Sequence, residues 1–149
     1  MERERYQRGF TLVEILAVLA LVATLFGILL LPNIAKSVEK GRAKSAMTQI
    51  GLVESLLNEY RLENGSYPTT EQGLDALYRK PISAPVPETW DGPYAKKPIG
   101  KDPWGRPYIY RSPGEHNQDG FDLSSLGGDG AEGGSGTNAD LANWVESNP

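Results

Sequence analysis

The sequence predicts an α+β protein in which a long N-terminal helix precedes a small domain with two or three antiparallel strands. Residues 10–31 form an uninterrupted apolar run, and residues 33–63 continue with an amphipathic helical pattern. The remaining residues are rich in proline and glycine and contain short segments of strand type. A helical period that gives way to turn signals and short strands indicates a helix packed on an antiparallel sheet.

The apolar run at residues 10–31 is long enough to cross a membrane. It contains 22 residues, and Glu14 is its only charged side chain. A helix of about 20 apolar residues spans the hydrocarbon core of a bilayer. The run is too long for the apolar core of an ordinary secretory signal, so we expect the first half of the long helix to be membrane-spanning. Pro32 follows and either kinks the helix or ends it.

Glu14 is an unusual residue for such a segment. A carboxylate inside a bilayer costs at least ~2.5 kcal/mol, and intramembrane carboxylates are usually functional. Glu14 lies about one helical turn inside the run, so it could stay hydrated near the interface. The alternative is that it pairs with a positive group. The residues alone leave both interpretations open.

The second half of the long helix is predicted to pack its apolar stripe against the small domain. The stripe repeats at the three- and four-residue spacing of an amphipathic helix. Asn64 and Gly65 are a plausible C-terminal stop, because glycine readily adopts the left-handed conformation that ends helices. A hinge at Pro32, giving two helices, is the alternative to one long helix. The stripe consists of Ala46, Ile50, Val53, Leu56, Leu57 and Tyr60.

The segment after Gly65 predicts a small domain built from short elements. Thr69 or Thr70 is placed to cap a short helix. The sequence at residues 102–105, DPWG, indicates a turn. The elements expected around this turn are a helix at residues 71–78, a strand at residues 108–110 and a second strand at residues 120–125.

The composition excludes several kinds of chemistry. The 149 residues include no cysteine, which excludes disulfides, thiol catalysis and zinc sites built from cysteine. The formal net charge of −4 argues against nucleic acid as a partner. His116 is the only histidine. A membrane-anchored hydrolase that used it with Asp119 and Asp122 is disfavoured, because no clear nucleophile motif accompanies the histidine.

Residues 124–140 form a glycine-rich acidic loop whose oxygens suit calcium. Six of the ten residues 127–136 are glycine. Calcium takes about six to eight oxygen ligands, many of them backbone carbonyls, and glycine lets a loop turn its carbonyls inward. The spacing is not that of an EF-hand, and a flexible solvated loop is the alternative. The side-chain oxygens come from Asp129, Glu132, Ser135, Thr137, Asn138 and Asp140.

The segment at residues 8–14, RGFTLVE, resembles the class III signal of type IV pilins and pseudopilins. The resemblance implies that a prepilin peptidase cuts after Gly9 on the cytoplasmic side and methylates the new amino terminus at Phe10. It also implies that Glu14 pairs with the N-terminal amine of a neighbouring subunit during assembly. Each of these two charges is costly alone in lipid, and pairing them would reduce that cost.

Three segments of the small domain resemble the major pseudopilin of type II secretion systems. They read NGSYPTTEQGL at residues 64–74, DPWG at residues 102–105 and SPGEH at residues 112–116. Type IV and competence pilins are the nearest alternative, but they commonly carry a cysteine pair that this chain lacks. The resemblance implies a type IV pilin-like fold, with the long helix packed on a small antiparallel sheet, and a structural rather than enzymatic role.

The resemblance also implies an organisation and a set of partners. Residues 1–9 would be a leader peptide, residues 10–31 a transmembrane and assembly helix, and residues 32–149 a periplasmic head. The subunit would cross the bacterial inner membrane once, with a cytoplasmic amino terminus, and polymerise into a periplasmic filament that drives export of folded proteins across the outer membrane. Implied partners are copies of itself, minor pseudopilins, the prepilin peptidase and an inner-membrane assembly platform.

The resemblance makes calcium the implied cofactor of the glycine-rich loop. The resemblance to major pseudopilins implies that one calcium ion binds there through two aspartates and several carbonyls. The aspartates correspond to Asp129 and Asp140, and the carbonyl of Leu126 is an expected ligand. Oxygens near Ser135 and Asn138 complete the expected set. The ion would tie the loop to the strand before it and give the head a fixed shape.

Overall fold

The computed structural model describes residues 10–145, with the side chains of residues 28–33 excepted. Its main element is helix α1, Leu12–Asn64. The hydroxyl of Thr11 accepts a hydrogen bond from the amide of Glu14 at 3.2 Å, as an N-terminal cap does. At the other end, Gly65 has φ 81° and its amide donates to the carbonyl of Arg61 at 2.8 Å. This left-handed glycine confirms the predicted C-terminal stop.

The chain divides into two compact units, one ending at Val38 and the other beginning at Glu39. The first unit holds the N-terminal part of α1, and Pro32 lies within the bounds of that helix. Among the residues whose side chains are described, no helix is long and apolar enough to cross a membrane. The predicted span at residues 10–31 extends into residues 28–33, whose side chains lie outside the described set.

The second unit, which we call the head, is built around the apolar stripe of α1. The side chains predicted to form the stripe are buried at the positions expected, and the adjacent Leu56 is partly buried against them. The prediction that this face is core is therefore confirmed. Leu62 and Leu52 point the other way and are exposed. The buried members of the stripe are Ala46, Ile50, Val53, Leu57 and Tyr60.

A three-stranded antiparallel sheet packs on this stripe. Strands β1, Ile109–Arg111, β2, Asp122–Ser125, and β3, Leu141–Ala142, lie in the order β1-β2-β3. In the register, Tyr110 faces Leu123 and Ser124 faces Ala142. The two strands predicted from the sequence are confirmed, and the third is contributed by the C-terminal segment. The central strand β2 is buried along its whole length.

The helix predicted over residues 71–78 is shorter in the structure. Only Leu74–Leu77 is helical, and it is a 3₁₀ turn. Gly73 interrupts the preceding turn with φ 60°, a conformation outside the right-handed helical region. The N-cap of this helix is Gly73, without a side-chain cap bond, so neither threonine caps it as predicted. Thr69 instead closes the preceding turn, where its hydroxyl accepts from the Gln72 amide at 3.2 Å. The Gln72 side chain accepts in return from the Thr69 amide at 3.0 Å, which completes a capping box.

Candidate functional site

The N-terminal segment of α1 presents Glu14 beside a column of uncovered apolar side chains. Phe10 is 77% exposed, and the large apolar residues that follow it remain between 42% and 77% exposed. Glu14 lies in the first helical turn, where the free amides favour a carboxylate. Gly9, the predicted cleavage residue, lies outside the described residues. The column comprises Leu12, Val13, Ile15, Leu16, Val18, Leu19, Leu21, Val22, Leu25 and Phe26.

The turn after Asp102 is organised by the carboxylate of that residue. Asp102 Oδ1 accepts hydrogen bonds from the amides of Trp104 at 3.0 Å and Arg106 at 2.8 Å. Its Oδ2 accepts from the hydroxyl of Ser125 at 2.6 Å, which fastens the turn to β2. The predicted turn is confirmed, and the residue that makes it is buried.

The charge on Asp102 is maintained by these donors. Burial by itself would raise the pKa of Asp102, but the hydrogen bonds from Ser125, Arg106 and Trp104, and the positive charge of Arg106, lower it overall. The opposite effect is seen at Tyr108, where burial and then the charge of Asp102 raise the pKa to about 12. A carboxylate whose oxygens are all engaged in this way serves as a structural anchor.

Asp122 organises a second turn at the other end of β2. Its Oδ2 accepts from the amides of Glu115 at 2.8 Å and His116 at 2.9 Å, and its Oδ1 accepts from the amide of Asn117 at 3.0 Å. Burial raises the pKa of Asp122, but hydrogen bonds from His116 and Asn117 outweigh that effect and lower it. The imidazole Nδ1 of His116 lies 3.0 Å from Asp122 Oδ2.

His116 also anchors the C-terminal segment. Its ring stacks on the indole of Trp144 with centroids 4.1 Å apart and an interplanar angle of 7°. The stack attaches Trp144, near the end of the described chain, to the turn that holds His116. Asp122 and His116 are therefore both occupied in holding turns and the tail. Asp119 lines a different depression, together with Arg61 and Tyr67.

A cavity of about 300 Å³ is lined partly by the glycine-rich loop and partly by residues outside it, among them Arg111 of β1, His116 and Trp144. Leu126 and Asp140, both predicted as calcium ligands, line this cavity, and so does Glu132. Asp140 Oδ2 accepts from the amide of Gly133 at 2.9 Å. The other oxygen, Asp140 Oδ1, is buried and has no hydrogen-bond partner in the described part of the chain. A buried carboxylate oxygen without a partner is costly unless a cation or a donor reaches it.

The remaining predicted ligands lie elsewhere in the loop. Asp129 Oδ1 accepts from the amide of Ala131 at 3.1 Å, which forms a local turn. The carbonyl of Ser135 accepts from the amide of Asn138 at 3.2 Å. The structure thus brings Leu126 and Asp140 to one cavity and places Asp129, Ser135 and Asn138 in the surrounding turns.

The donor set of the loop suits a cation that takes backbone oxygens. Within residues 10–145, no three histidine, cysteine or acidic side chains form a group that could hold a metal ion. A site here would therefore depend on carbonyl oxygens in addition to Asp140. Calcium binds such a mixture of carboxylate and carbonyl oxygens, whereas zinc sites in proteins are built mainly from nitrogen and sulfur ligands. The unpartnered oxygen of Asp140 fits this chemistry.

Arg106 contacts the glycine-rich loop, and the sequence analysis did not predict this contact. Its guanidinium Nη2 donates a hydrogen bond to the carbonyl of Gly127, and its Nε is buried without a partner in the described residues. Trp104, two residues earlier, donates from its indole to Glu39 of α1 at 2.8 Å. The only signal in the sequence was the proximity of both residues to the DPWG turn, which does not indicate where their side chains point.

Comparison with known proteins supports this picture at the family level. The family model for Type II secretion system (T2SS), protein G, matches residues 33–144. A second model, for the prokaryotic N-terminal methylation motif, matches residues 5–30. Together they account for both the head and the N-terminal segment described above.

Similar proteins match over nearly the full chain. The Type II secretion system core protein G of Vibrio cholerae is 43% identical over 97% of this chain and 96% of its own length. The protein of the same description from Pseudomonas aeruginosa is 42% identical, over 95% and 98% respectively. The crystal structure of the major pseudopilin from the type 2 secretion system of enterohaemorrhagic Escherichia coli superimposes with a TM-score of 0.62. It shares 38% sequence identity and covers 76% of this chain and 95% of that one.

The long helix, the small sheet and the methylation motif define a pilin-like filament subunit. More narrowly, the chain belongs to the type II secretion system protein G family, the major pseudopilins. It is a structural subunit and not an enzyme, as the sequence predicted. It assembles with copies of itself and with other secretion-system components into a membrane-anchored periplasmic filament.

Proposed function

We propose that the chain is cut after Gly9, methylated on Phe10, and built into the secretion filament by pairing of Glu14 with the amino terminus of the next subunit. The observation that carries this proposal is the position of Glu14 in the first turn of α1, among side chains such as Leu12 and Leu16 that nothing in the described chain covers. Packing of this segment, the stem (residues 10–31), against the stems of neighbouring subunits would cover them, and Glu14 would pair with the positive charge of a neighbouring amino terminus.

Before assembly, the stem would lie in the inner membrane as a single span over residues 10–31. The amino terminus would face the cytoplasm and the head the periplasm. The exposed apolar column is suited to lipid in this state and to neighbouring stems in the filament. Minor pseudopilins, the prepilin peptidase and the inner-membrane platform are the further partners proposed, and export of folded proteins across the outer membrane is the proposed output.

Intact-mass analysis of the protein extracted from its native membrane tests the processing step. We expect a chain that begins at Phe10 and carries one additional methyl group. A Gly9→Leu variant should stay uncut, whereas a Gly27→Ala variant, at a glycine with free space around its Cα, should be processed normally. An uncut native chain, or a cut at another residue, would contradict the proposal.

A Glu14→Gln variant separates assembly from processing. It keeps the size of the side chain and removes the charge, so we expect normal cleavage but a loss of cross-linked multimers in the membrane. Thr24→Val is a suitable control, because among the described residues the Thr24 hydroxyl donates to the carbonyl of Leu21 in the same helix, at 2.7 Å. Multimers at the native level in Glu14→Gln would show that the charge is not needed.

We also propose calcium as a structural cofactor of the glycine-rich loop. The buried, unpartnered Oδ1 of Asp140 supports this assignment, as does the presence of Leu126 on the same cavity. Asp140 and Asp129 would supply the carboxylates, and oxygens of Leu126, Ser135 and Asn138 would complete the shell. The ion would neutralise the buried carboxylate and join the loop to the end of β2.

Thermal unfolding of the full chain in a mild detergent, with and without calcium, tests this assignment. A ligand at about 100 times its Kd stabilises the folded state by about 2.7 kcal/mol, so Tm should rise measurably. Asp140→Asn should abolish the rise, whereas Asp119→Asn, whose side chain lines a different depression, should preserve it. An equal Tm with and without calcium in the native chain would refute the calcium assignment.

A further inference from the structure

Arg106 is held in place by the turn that precedes it. Its amide donates to Asp102 Oδ1 at 2.8 Å, and its carbonyl accepts from the Asp102 amide at 2.7 Å. Asp102 is in turn fastened to Ser125, the last residue of β2. The backbone from which the Arg106 side chain projects is therefore fixed to the sheet.

The guanidinium of Arg106 reaches from this turn into the glycine-rich loop. Its Nη2 donates to the carbonyl of Gly127, the second residue after β2. It also lies directly over Gly130, because a Cβ placed on that glycine would be 2.8 Å from Arg106 Nη1 and 2.9 Å from Cζ. Arginine presents several donors in one rigid plane, and that plane covers one turn of the loop.

The loop needs such an attachment because its backbone has little preference of its own. Five of its glycines have positive φ, which means that much of the loop adopts a conformation available chiefly to glycine. Glycine loses the most conformational entropy on ordering, so the loop must be fixed by contacts from outside. The five are Gly127, Gly130, Gly133, Gly134 and Gly136.

We propose that Arg106 is a positioning residue, an internal cation that orders the glycine-rich loop by holding the Gly127 carbonyl and covering Gly130. It does so with or without a divalent ion. Gly127 directly follows Leu126, whose carbonyl is a proposed calcium ligand, so Arg106 also presents the loop for metal binding. Only this last consequence rests on the calcium proposal.

Hydrogen exchange of the full chain in detergent, with EDTA present, tests the positioning role directly. In Arg106→Gln we expect the amides of residues 126–133 to exchange about tenfold faster than in the native chain, because a hydrogen bond from a charged donor is lost. Arg106→Lys keeps the charge without the fork and should restore part of the protection. Arg79→Gln is the matched control, because Arg79 is exposed and contacts the ring of Tyr78.

The same experiment distinguishes positioning from a general loss of stability. Amides around Leu57, in the core, should exchange at the native rate in Arg106→Gln. Native exchange rates for residues 126–133 in that variant would overturn the proposal. So would an equal acceleration in the core. Since EDTA removes divalent ions, neither result depends on whether calcium binds, and the Tm test above decides that separately.

Double substitution provides a second test, with the free energy of unfolding as its measurement, of the contact between Arg106 and Gly130. Gly130→Ala should lower the free energy of unfolding of the native chain, because the new methyl group meets the guanidinium and because φ is +73°. In Arg106→Gln only the φ penalty should remain, so the two substitutions should be less than additive. Gly136→Ala, at φ +65° with nothing within 4 Å, should be additive with Arg106→Gln. Additivity at Gly130 would overturn the proposed contact.

Discussion

The indole Nε1 of Trp104 donates a hydrogen bond to Glu39 Oε2 at 2.8 Å, across 65 residues of sequence. Glu39 is the residue at which the head unit begins. Trp104 belongs to the turn that Asp102 organises, and the same turn sends Arg106 into the glycine-rich loop. This one turn thus contacts three parts of the head: α1 at Glu39, the central strand β2 and the glycine-rich loop.

Removing this indole donor should lower the stability of the head by a measurable amount. Trp104→Phe is expected to lower the free energy of unfolding by about 1 kcal/mol beyond its packing loss, because a hydrogen bond to a charged acceptor is lost. Glu39 retains 29% of its side-chain exposure, so water will compensate in part. Denaturant unfolding of Trp104→Phe, Glu39→Ala and the double variant gives the coupling energy. Strict additivity of the two changes would rule out the interaction.

Asp102 should make the stability of the head depend on pH. Its pKa is lowered in the folded state, so its contribution is present above the unfolded value of about 3.9 and is lost as pH falls through the folded value. Unfolding free energies measured from pH 7 to pH 3 should therefore fall at the acid end. In Asp102→Asn we expect a loss of about 2–3 kcal/mol at neutral pH and a shallower acid slope. Asp122, whose pKa is also lowered, contributes to the acid slope of both proteins. The same slope in Asp102→Asn as in the native chain would contradict the assignment.

The buried and exposed faces of α1 should differ sharply in their tolerance of substitution. Leu57 has no exposed surface, and Leu57→Ala should cost about 2–5 kcal/mol through lost burial and the cavity left behind. Leu62 is 86% exposed, and Leu62→Ala should change stability by less than about 0.5 kcal/mol. The check is thermal or denaturant unfolding of each variant in detergent. Similar costs for the two would mean that the assigned core face is wrong.

Two glycines of the long helix should respond in opposite directions to alanine. Gly51 lies inside α1 with nothing within 4 Å of its would-be Cβ, so Gly51→Ala should stabilise the helix by up to about 1 kcal/mol. Gly65 ends the helix at φ +81°, where a side chain is strained, so Gly65→Ala should cost about 1–2 kcal/mol. Melting temperatures of both variants decide the matter. A gain at Gly65 would exclude the left-handed cap.

Much of the helix and its core face could be predicted because these features are local. The spacing of Ala46, Ile50, Val53 and Leu57 places them on one side of any α-helix, whatever packs against it. The stop at Gly65 likewise depends on the conformational freedom of a single residue. The strands were harder to delimit, since β1 and β2 have only three and four residues and their bounds depend on pairing.

The helix predicted over residues 71–78 shows where local reasoning failed. Thr69 and Gln72 form the capping box that announces a helix start, yet only Leu74–Leu77 is helical. Gly73 adopts φ 60° there, and nothing in the local pattern required it to do so. The threonine was correctly predicted to bond as a cap does, but it closes the turn before Gly73, and the helix itself begins only after that glycine.

The sequence by itself determined the apolar stem, the position of Glu14 at its start, the core stripe of α1 and the family signal at residues 8–14. These depend on residue type and on spacing along one element. Only the tertiary structure decided that Trp104 reaches Glu39, that Arg106 enters the glycine-rich loop, and that Asp140 has a buried oxygen without a partner. Such contacts join residues distant in sequence, and a side chain acquires its partner only when packing fixes the direction in which it points.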